Sequence, residues 1–305
     1  MPKNQQQKDA QNYLLPEVVS KIKNLELIAR FIVEGFLVGL HKSPFHGFSV
    51  EFSEHRQYMP GDNIRDIDWK VYGRTDRYYI KQYEEETNLK AHILVDISGS
   101  MGYSSHAISK IQYARYLAAA FSYLLLKQRD AVGVTLFSDK IHRHLPPKST
   151  NSYIKFLLKE LDRATPQQSS TAVSQTLHTL AEKVKRPGLV ILLSEFLYED
   201  ADKILEGLRH FRYYNHEVLV FNILDPNDRF FDFSDEATFV DMETGEELKT
   251  QPFLIKQSYR KLVDSFYEEL RNECYRMQVD FQNVLTTDSF DKALMRYLIK
   301  RKQLY

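Results

Sequence analysis

The stretch HILVDISGSMG, residues 92–102, runs from an apolar, strand-like segment straight into one Asp and two Ser residues spaced two apart. A strand that ends this way presents a carboxylate and two hydroxyls at its carboxyl end. That is where open parallel sheets bind ligands, and hard oxygen donors suit a hard divalent cation. Asp96, Ser98 and Ser100 alternate so that their side chains can point into one loop cavity, while Gly99 and Gly102 permit tight turns. Further donors must come from other loops. The candidates are Thr171, in SSTAVSQTL at the start of a helical stretch, and Glu195, in LLSEF directly after an apolar run. The competing reading is that Ser98 and Ser100 cap the helix that follows.

Outward from this loop, short apolar runs alternate with helical stretches, the pattern of a parallel sheet with crossover helices. Strands are expected at 92–97, 131–137, 188–194, 217–224 and 278–284. Helices are expected at about 107–128, 151–163, 171–185, 200–213, 256–277 and 288–300, and a hairpin at 236–252 around ETGE. The fold class is α/β, a doubly wound and mostly parallel sheet spanning 89–305. Before it, Val18, Ile22, Leu25, Ile28 and Ile32 recur at helical spacing, so 16–40 reads as one amphipathic helix opened by Pro16. Residues 45–88 read as a small β-rich accessory region with a PGDN turn, and the Gln-rich residues 1–15 as disordered. Three regions result: 1–15, 16–88 and 89–305.

Composition excludes several functions. The 305 residues are 43% hydrophobic, enough for a large core, and 41 basic residues balance 41 acidic ones, so no overall field draws the chain to nucleic acid or an anionic membrane. The basic tail RYLIKRKQLY complements a helix end rather than marking a nucleic-acid surface. One cysteine, Cys274, allows no internal disulfide or cysteine metal cluster and fits a reducing compartment. No secretory h-region opens the chain, and no apolar run approaches the ~20 residues of a membrane span. A cytoplasmic location is therefore expected.

Enzyme signatures are missing as well. An aspartyl phosphotransferase built on Asp96 would want a second acid at position 98, which is Ser. There is neither a Gly-x-Ser-x-Gly elbow nor a phosphate-binding P-loop. His142 and His144 share one face of a short predicted strand and read as a solvated hairpin edge rather than a ligand pair.

Asp96-x-Ser98-x-Ser100 after an apolar strand, Thr171 before a helix and an acid after a later strand resemble the metal-ion-dependent adhesion site of von Willebrand factor A domains. The resemblance implies Mg²⁺, with Mn²⁺ or Ca²⁺ as alternatives, held by Ser98, Ser100 and Thr171, with Asp96 and Glu195 acting through water. A partner's carboxylate completes the octahedron. Glu195 stands where that pattern usually has Asp, which sets its carboxylate about one methylene further out.

The segment HGFSVEFSEHRQYMPGDNIRDIDWKVYGRTDRYYIKQYEEE, residues 46–86, resembles the signature of the domain of unknown function 58 family. The matching residues are Glu51, Arg56, Tyr58, Pro60, Gly61, Asp62, Arg65, Asp68, Trp69 and Arg74, and the resemblance covers roughly 25–225. It implies a bacterial protein that works with a MoxR-type AAA+ ATPase or its client in assembly, maturation or stress tolerance. Read without the family, Arg56, Asp62, Arg65, Asp66, Asp68 and Arg74 interleave opposite charges around the only tryptophan. They suggest an ion-pair network, buried or interfacial, that serves either packing or partner docking.

The expected function is a non-catalytic, metal-dependent protein-binding adaptor whose partner offers an acidic loop, with no nucleic acid and no membrane span. The alternatives are a metal-dependent hydrolase using the same loop and a metal-free scaffold.

Overall fold

The chain opens with two helices rather than one. The computed structural model describes residues 14–41, 55–58, 69–81, 89–167, 173–196, 201–233, 237–240, 245 and 247–302. Helix α1 (Pro16–Val19) stops, and α2 (Leu25–His41) begins only after a turn. The single helix expected over 16–40 is broken at Asn24, whose Oδ1 accepts hydrogen bonds from the Glu26 and Leu27 amides at 2.8 and 3.2 Å. That is an N-cap, and it starts a new helix. Of the segment expected to be disordered, 1–13 lies outside the described residues, and Leu14 is buried in the core.

In the accessory region, β1 (His55–Gln57), α3 (Trp69–Thr75) and β2 (Tyr79–Lys81) follow, with β1 and β2 paired antiparallel. The described part of the region expected to be β-rich is thus a two-stranded ribbon bracketing a helix.

The main sheet starts with β3 (Lys90–Asp96), then α4 (Lys110–Lys127), β4 (Ala131–Phe137), β5 (Ile141–Lys148), α5 (Tyr153–Asp162) and α6 (Val173–Lys183). Next come β6 (Leu189–Ser194), α7 (Ala201–Tyr213), β7 (Glu217–Leu224) and α8 (Pro226–Phe230). A hairpin of β8 (Ala237–Val240) and β9 (Glu247–Thr250) precedes α9 (Pro252–Arg276), β10 (Asp280–Leu285) and α10 (Phe290–Lys302). In the hairpin turn Gly245 takes a positive φ of 75°, a conformation that glycine adopts without strain.

The strands lie in the order β10-β7-β6-β3-β4-β5, all parallel except β5, which runs antiparallel at the edge. The doubly wound, mostly parallel α/β sheet expected from the sequence is present. The chain builds outward from β3 to β5, then returns to the other side of β3 to lay down β6, β7 and β10. The connections leaving β3 and β6 therefore diverge, and a crevice opens between their carboxyl ends.

Both faces of the sheet are buried, which is why its central strands read as continuous apolar runs. Side chains alternate between two cores. Ile93, Val95, Ile191 and Leu193 pack with α2, α4, α5 and α10, and Leu94, Val190 and Leu192 pack with α6, α7 and α9. Helix α4 is enclosed, with Ala118, Ala119 and Ala120 fully buried, because α2 and α10 cover the side that the sheet leaves open. Phe290 of α10 stacks on Tyr113 of α4 at 4.6 Å between ring centroids. On edge strand β5, His142 Nε2 meets Ser138 Oγ at 2.7 Å and His144 Nδ1 meets Thr135 Oγ1 at 2.9 Å. These are packing bonds of a hairpin edge, as expected.

His92 sits in β3 facing the ring of His216, and burial, helped by the charges of His216, His144 and Lys90, pushes its pKa down to about 3. It is neutral in the fold and titrates near 6.5 when unfolded. Its contribution to stability is complete above pH 6.5 and is lost as pH falls toward 3, at up to about 1.4 kcal/mol per unit. Between pH 6.5 and 5, His92→Gln should lose about 2 kcal/mol less stability than the wild type in urea unfolding. Equal losses in both proteins would remove His92 from the pH response.

Candidate metal centre at the sheet crevice

Asp96 is the last residue of β3 and is fully buried. Both its carboxylate oxygens accept hydrogen bonds: Oδ1 from the Ser98 amide at 2.8 Å, and Oδ2 from the hydroxyl of Ser194, the last residue of β6, at 2.5 Å. Asp96 and Ser194 thus tie together the two strands that flank the crevice.

The loop after Asp96 is pinned on its other side. The Ile97 amide donates to Phe137 O at 2.8 Å, and the Gln167 amide donates to Ile97 O at 2.7 Å. Residues 99–102 then form one 3₁₀ turn. Ser98 stands at its N-cap position but makes no side-chain capping bond; its Oγ lies 3.3 Å from Ser100 Oγ instead. The following helix α4 is capped by Ser109, which forms a reciprocal capping box with Gln112. The capping alternative for Ser98 and Ser100 is therefore overturned, because another serine holds that place.

Sequence reasoning missed the centre's own cation. Lys110, the first residue of α4, is buried with its Nζ between two carboxylates, Glu195 Oε2 and Asp228 Oδ2, the latter at 2.7 Å. A basic residue is disfavoured at a helix N-terminus, so its place directly after the Ser109 cap was the available signal. Burial acts to lower the Lys110 pKa, but Glu195 and Asp228 outweigh it and hold the ammonium above the ordinary lysine range. Burial pushes Glu195 up to about 7, with Lys110 pulling down and the charges of Asp228 and Asp96 adding to the rise. Glu195 Oε1 is buried and has no hydrogen-bond partner among the described residues.

A second clamp lies beside the first. Asp225, fully buried, accepts from the Asn227 amide at the start of α8, from the Ser105 amide at 2.8 Å and from the Ser105 hydroxyl. Ser105 Oγ also meets His106 Nδ1 at 2.7 Å. A hydrolytic triad needs the imidazole between acid and hydroxyl. Here the hydroxyl stands between them, so the trio fastens a loop and has no proton relay.

Of the sequence-derived metal set, the structure brings together Asp96, Ser98 and Ser100, and places Glu195 one residue beyond the Ser194 that touches Asp96. Thr171 lies outside the described residues. Asp202 stands in the first turn of α7, where a carboxylate is favourable. Among the described residues no three His, Cys, Asp or Glu side chains converge on one point, so direct bonds to an ion would come from the hydroxyls. The spacing suits this role, since an octahedral ion with oxygens at about 2.1 Å sets neighbouring ligands about 3 Å apart. The residues present fit a hydroxyl-ligated dication.

The accessory signature behaves differently. Asp62, Arg65 and Asp68 lie outside the described residues, as does the side chain of Arg56. Trp69 is 57% exposed. It packs edge-on against Tyr72, which stacks on Tyr78, itself beside Tyr58. Arg74 is exposed.

Residues 54–271 match the family described as protein of unknown function DUF58. The chain belongs to that family. The match starts and ends later than the resemblance read from the sequence, and it leaves β10 and α10 of this DUF58 chain outside. Uncharacterized proteins from Mycobacterium bovis and Mycobacterium tuberculosis are 26% identical over 236 residues, 75% of this chain and 72% of theirs. Similar solved structures include the conserved hypothetical protein BatB from Bacteroides thetaiotaomicron, 17% identical with a TM-score of 0.46 over 70% of this chain and 99% of that one. The VWA domain of SpRpn10 is 13% identical, with a TM-score of 0.37 over 69% of this chain and 95% of that one. No helix among the described residues of the DUF58 chain is long and apolar enough to cross a membrane.

Removing one partner of a buried ion pair leaves an uncompensated charge, so Lys110→Met should cost about 3–5 kcal/mol in denaturant unfolding. Adding Glu195→Gln to Lys110→Met should recover part of that loss. A cost under about 1 kcal/mol for the single variant would mean that the ammonium does not hold these elements together.

Proposed function

We propose that this chain is a non-catalytic adaptor that binds a partner protein through a divalent cation at the crevice between β3 and β6. The observation that carries this reading is a charge imbalance. Among the described residues, one buried ammonium, Lys110, faces Glu195 and Asp228, with the Asp96 carboxylate close enough to raise Glu195 further. Among the described residues the acids at this edge outnumber the ammonium, and a dication would offset their charge. An uncompensated excess in a buried site costs several kcal/mol.

Ser98 and Ser100 would bond the ion directly, joined by Thr171 on the strength of the adhesion-site resemblance, and Asp96 and Glu195 would act through water. When bound, Mg²⁺ supplies an exchangeable coordination position suited to an incoming carboxylate. The chain's residues do the rest. Ser194 and the Ser98 amide orient Asp96, and the Gln167 and Phe137 contacts hold the loop open toward the crevice. Family resemblance puts a MoxR-type AAA+ ATPase, or a client on which it acts, in the partner's place. A reducing cytoplasm suits the lone buried thiol, Cys274.

One observation favours a second reading. Lys110 already supplies Glu195 with a positive charge, so a metal-free scaffold would keep its shape through the ammonium alone.

The thermal unfolding midpoint in EDTA and in about 10 mM Mg²⁺ separates the two. A dissociation constant on the order of 0.1 mM adds about 2.7 kcal/mol by linkage, a rise of roughly 5–10 °C for a chain of this size. The rise should vanish in Ser98→Ala. Equal midpoints in EDTA and Mg²⁺ for the wild type would favour the scaffold.

A further inference from the structure

A cleft of about 370 Å³ opens beside the Ser98 loop, between β5 and α5. Its floor is apolar, formed by Ile97, Leu136 and Ala164, and its rim carries Arg143, Arg163 and Glu160. Gln167 lines it too, and Gln167 is the residue whose amide bonds Ile97 O and which bridges to Ser98. The cleft therefore begins at the loop that bears the Ser98 and Ser100 hydroxyls.

The rim holds a surplus of positive charge. Arg143 Nε pairs with Glu160 Oε2 at 3.0 Å, and Arg163 Nη1 lies 3.9 Å from Glu160 Oε1. A single carboxylate, largely shielded from solvent, thus stands between two guanidiniums that are themselves 50% and 66% exposed. Each guanidinium offers five N–H donors in a planar fork suited to carboxylates. Glu160 uses few of them, and it marks where a guest carboxylate would sit. An apolar floor beneath a cationic rim fits the stem of a Glu or Asp side chain below its charged end.

We propose that this cleft is a second acid-binding subsite, which takes an acidic side chain of the partner's extended segment next to the carboxylate directed at the cation. The proposal deepens the adaptor reading and rests on it for the first carboxylate, while its own basis is the Arg143–Glu160–Arg163 arrangement. The occupant is an acidic peptide with at least two carboxylates. A segment with one acid would engage the cation alone and would bind more weakly.

The test uses the full chain and fluorescein-labelled hexaglutamate, followed by fluorescence anisotropy at low salt, with hexaglutamine as the neutral control. Wild-type binding in Mg²⁺ should weaken roughly tenfold in Arg143→Gln/Arg163→Gln, the loss expected for charge-assisted hydrogen bonds. Arg143→Lys/Arg163→Lys should retain part of it, and Glu160→Gln, which removes the internal competitor, should tighten binding several-fold. Thermal midpoints of the variants establish that each folds.

The controls separate this proposal from the reading beneath it. Binding that needs Mg²⁺ and Ser98 but is unchanged in the double Arg→Gln variant overturns the cleft and leaves the cation site standing. Binding that needs the two arginines but ignores Mg²⁺ and Ser98→Ala supports the cleft and overturns the cation. No preference for hexaglutamate over hexaglutamine overturns the cleft outright.

Discussion

The ammonium of Lys110, buried between Glu195 and Asp228, is the interaction on which the carboxyl edge of this sheet depends. It joins the first turn of α4, the residue after β6 and the helix after β7. Asp225 adds a parallel tie from the same α8 segment to the loop before α4 through Ser105. Without such ties, the acids gathered at three strand ends would have little water to screen them from one another. With them, the loop carrying Ser98 and Ser100 stands on a fixed base.

That base explains why the site lies where it does. Strand order makes the connections diverge between β3 and β6, and the last residues of those two strands, Asp96 and Ser194, meet across the gap. The two serine hydroxyls stand next to this contact. Among the described residues, the Lys110 ammonium is the cation that organises Glu195 and Asp228. The proposed cation would sit at those two hydroxyls. Beside it, the arginines above the Ile97 floor extend a surface suited to acids.

Much of this was legible in the sequence, and the misses have physical causes. The apolar runs gave the parallel strands because a strand buried on both faces leaves a continuous signature; β4 and β7 begin and end where the sequence places them. Asp96, Ser98 and Ser100 were legible because their spacing is local. Asn24 was not recognised as a cap, since the apolar spacing of Ile22, Leu25 and Ile28 continues across the break. Lys110 and Asp228 are 118 residues apart, and no periodicity links them. The only trace was a lysine where a helix start favours an acid. For Trp69 the sequence left burial and an interface open; Tyr72 packs against one edge of the ring, which is 57% exposed.

The most direct measurement is a titration of metal-free protein with Mn²⁺, following the free ion by electron paramagnetic resonance, in the wild type and in Ser98→Ala. Mn²⁺ accepts the same oxygen ligands as Mg²⁺ and its free signal counts bound ions. One bound Mn²⁺ per wild-type chain, displaced by excess Mg²⁺ and absent from Ser98→Ala, is the expected result. A wild type that binds no Mn²⁺ at millimolar concentration, or the same uptake in both proteins, would contradict a cation site at the crevice.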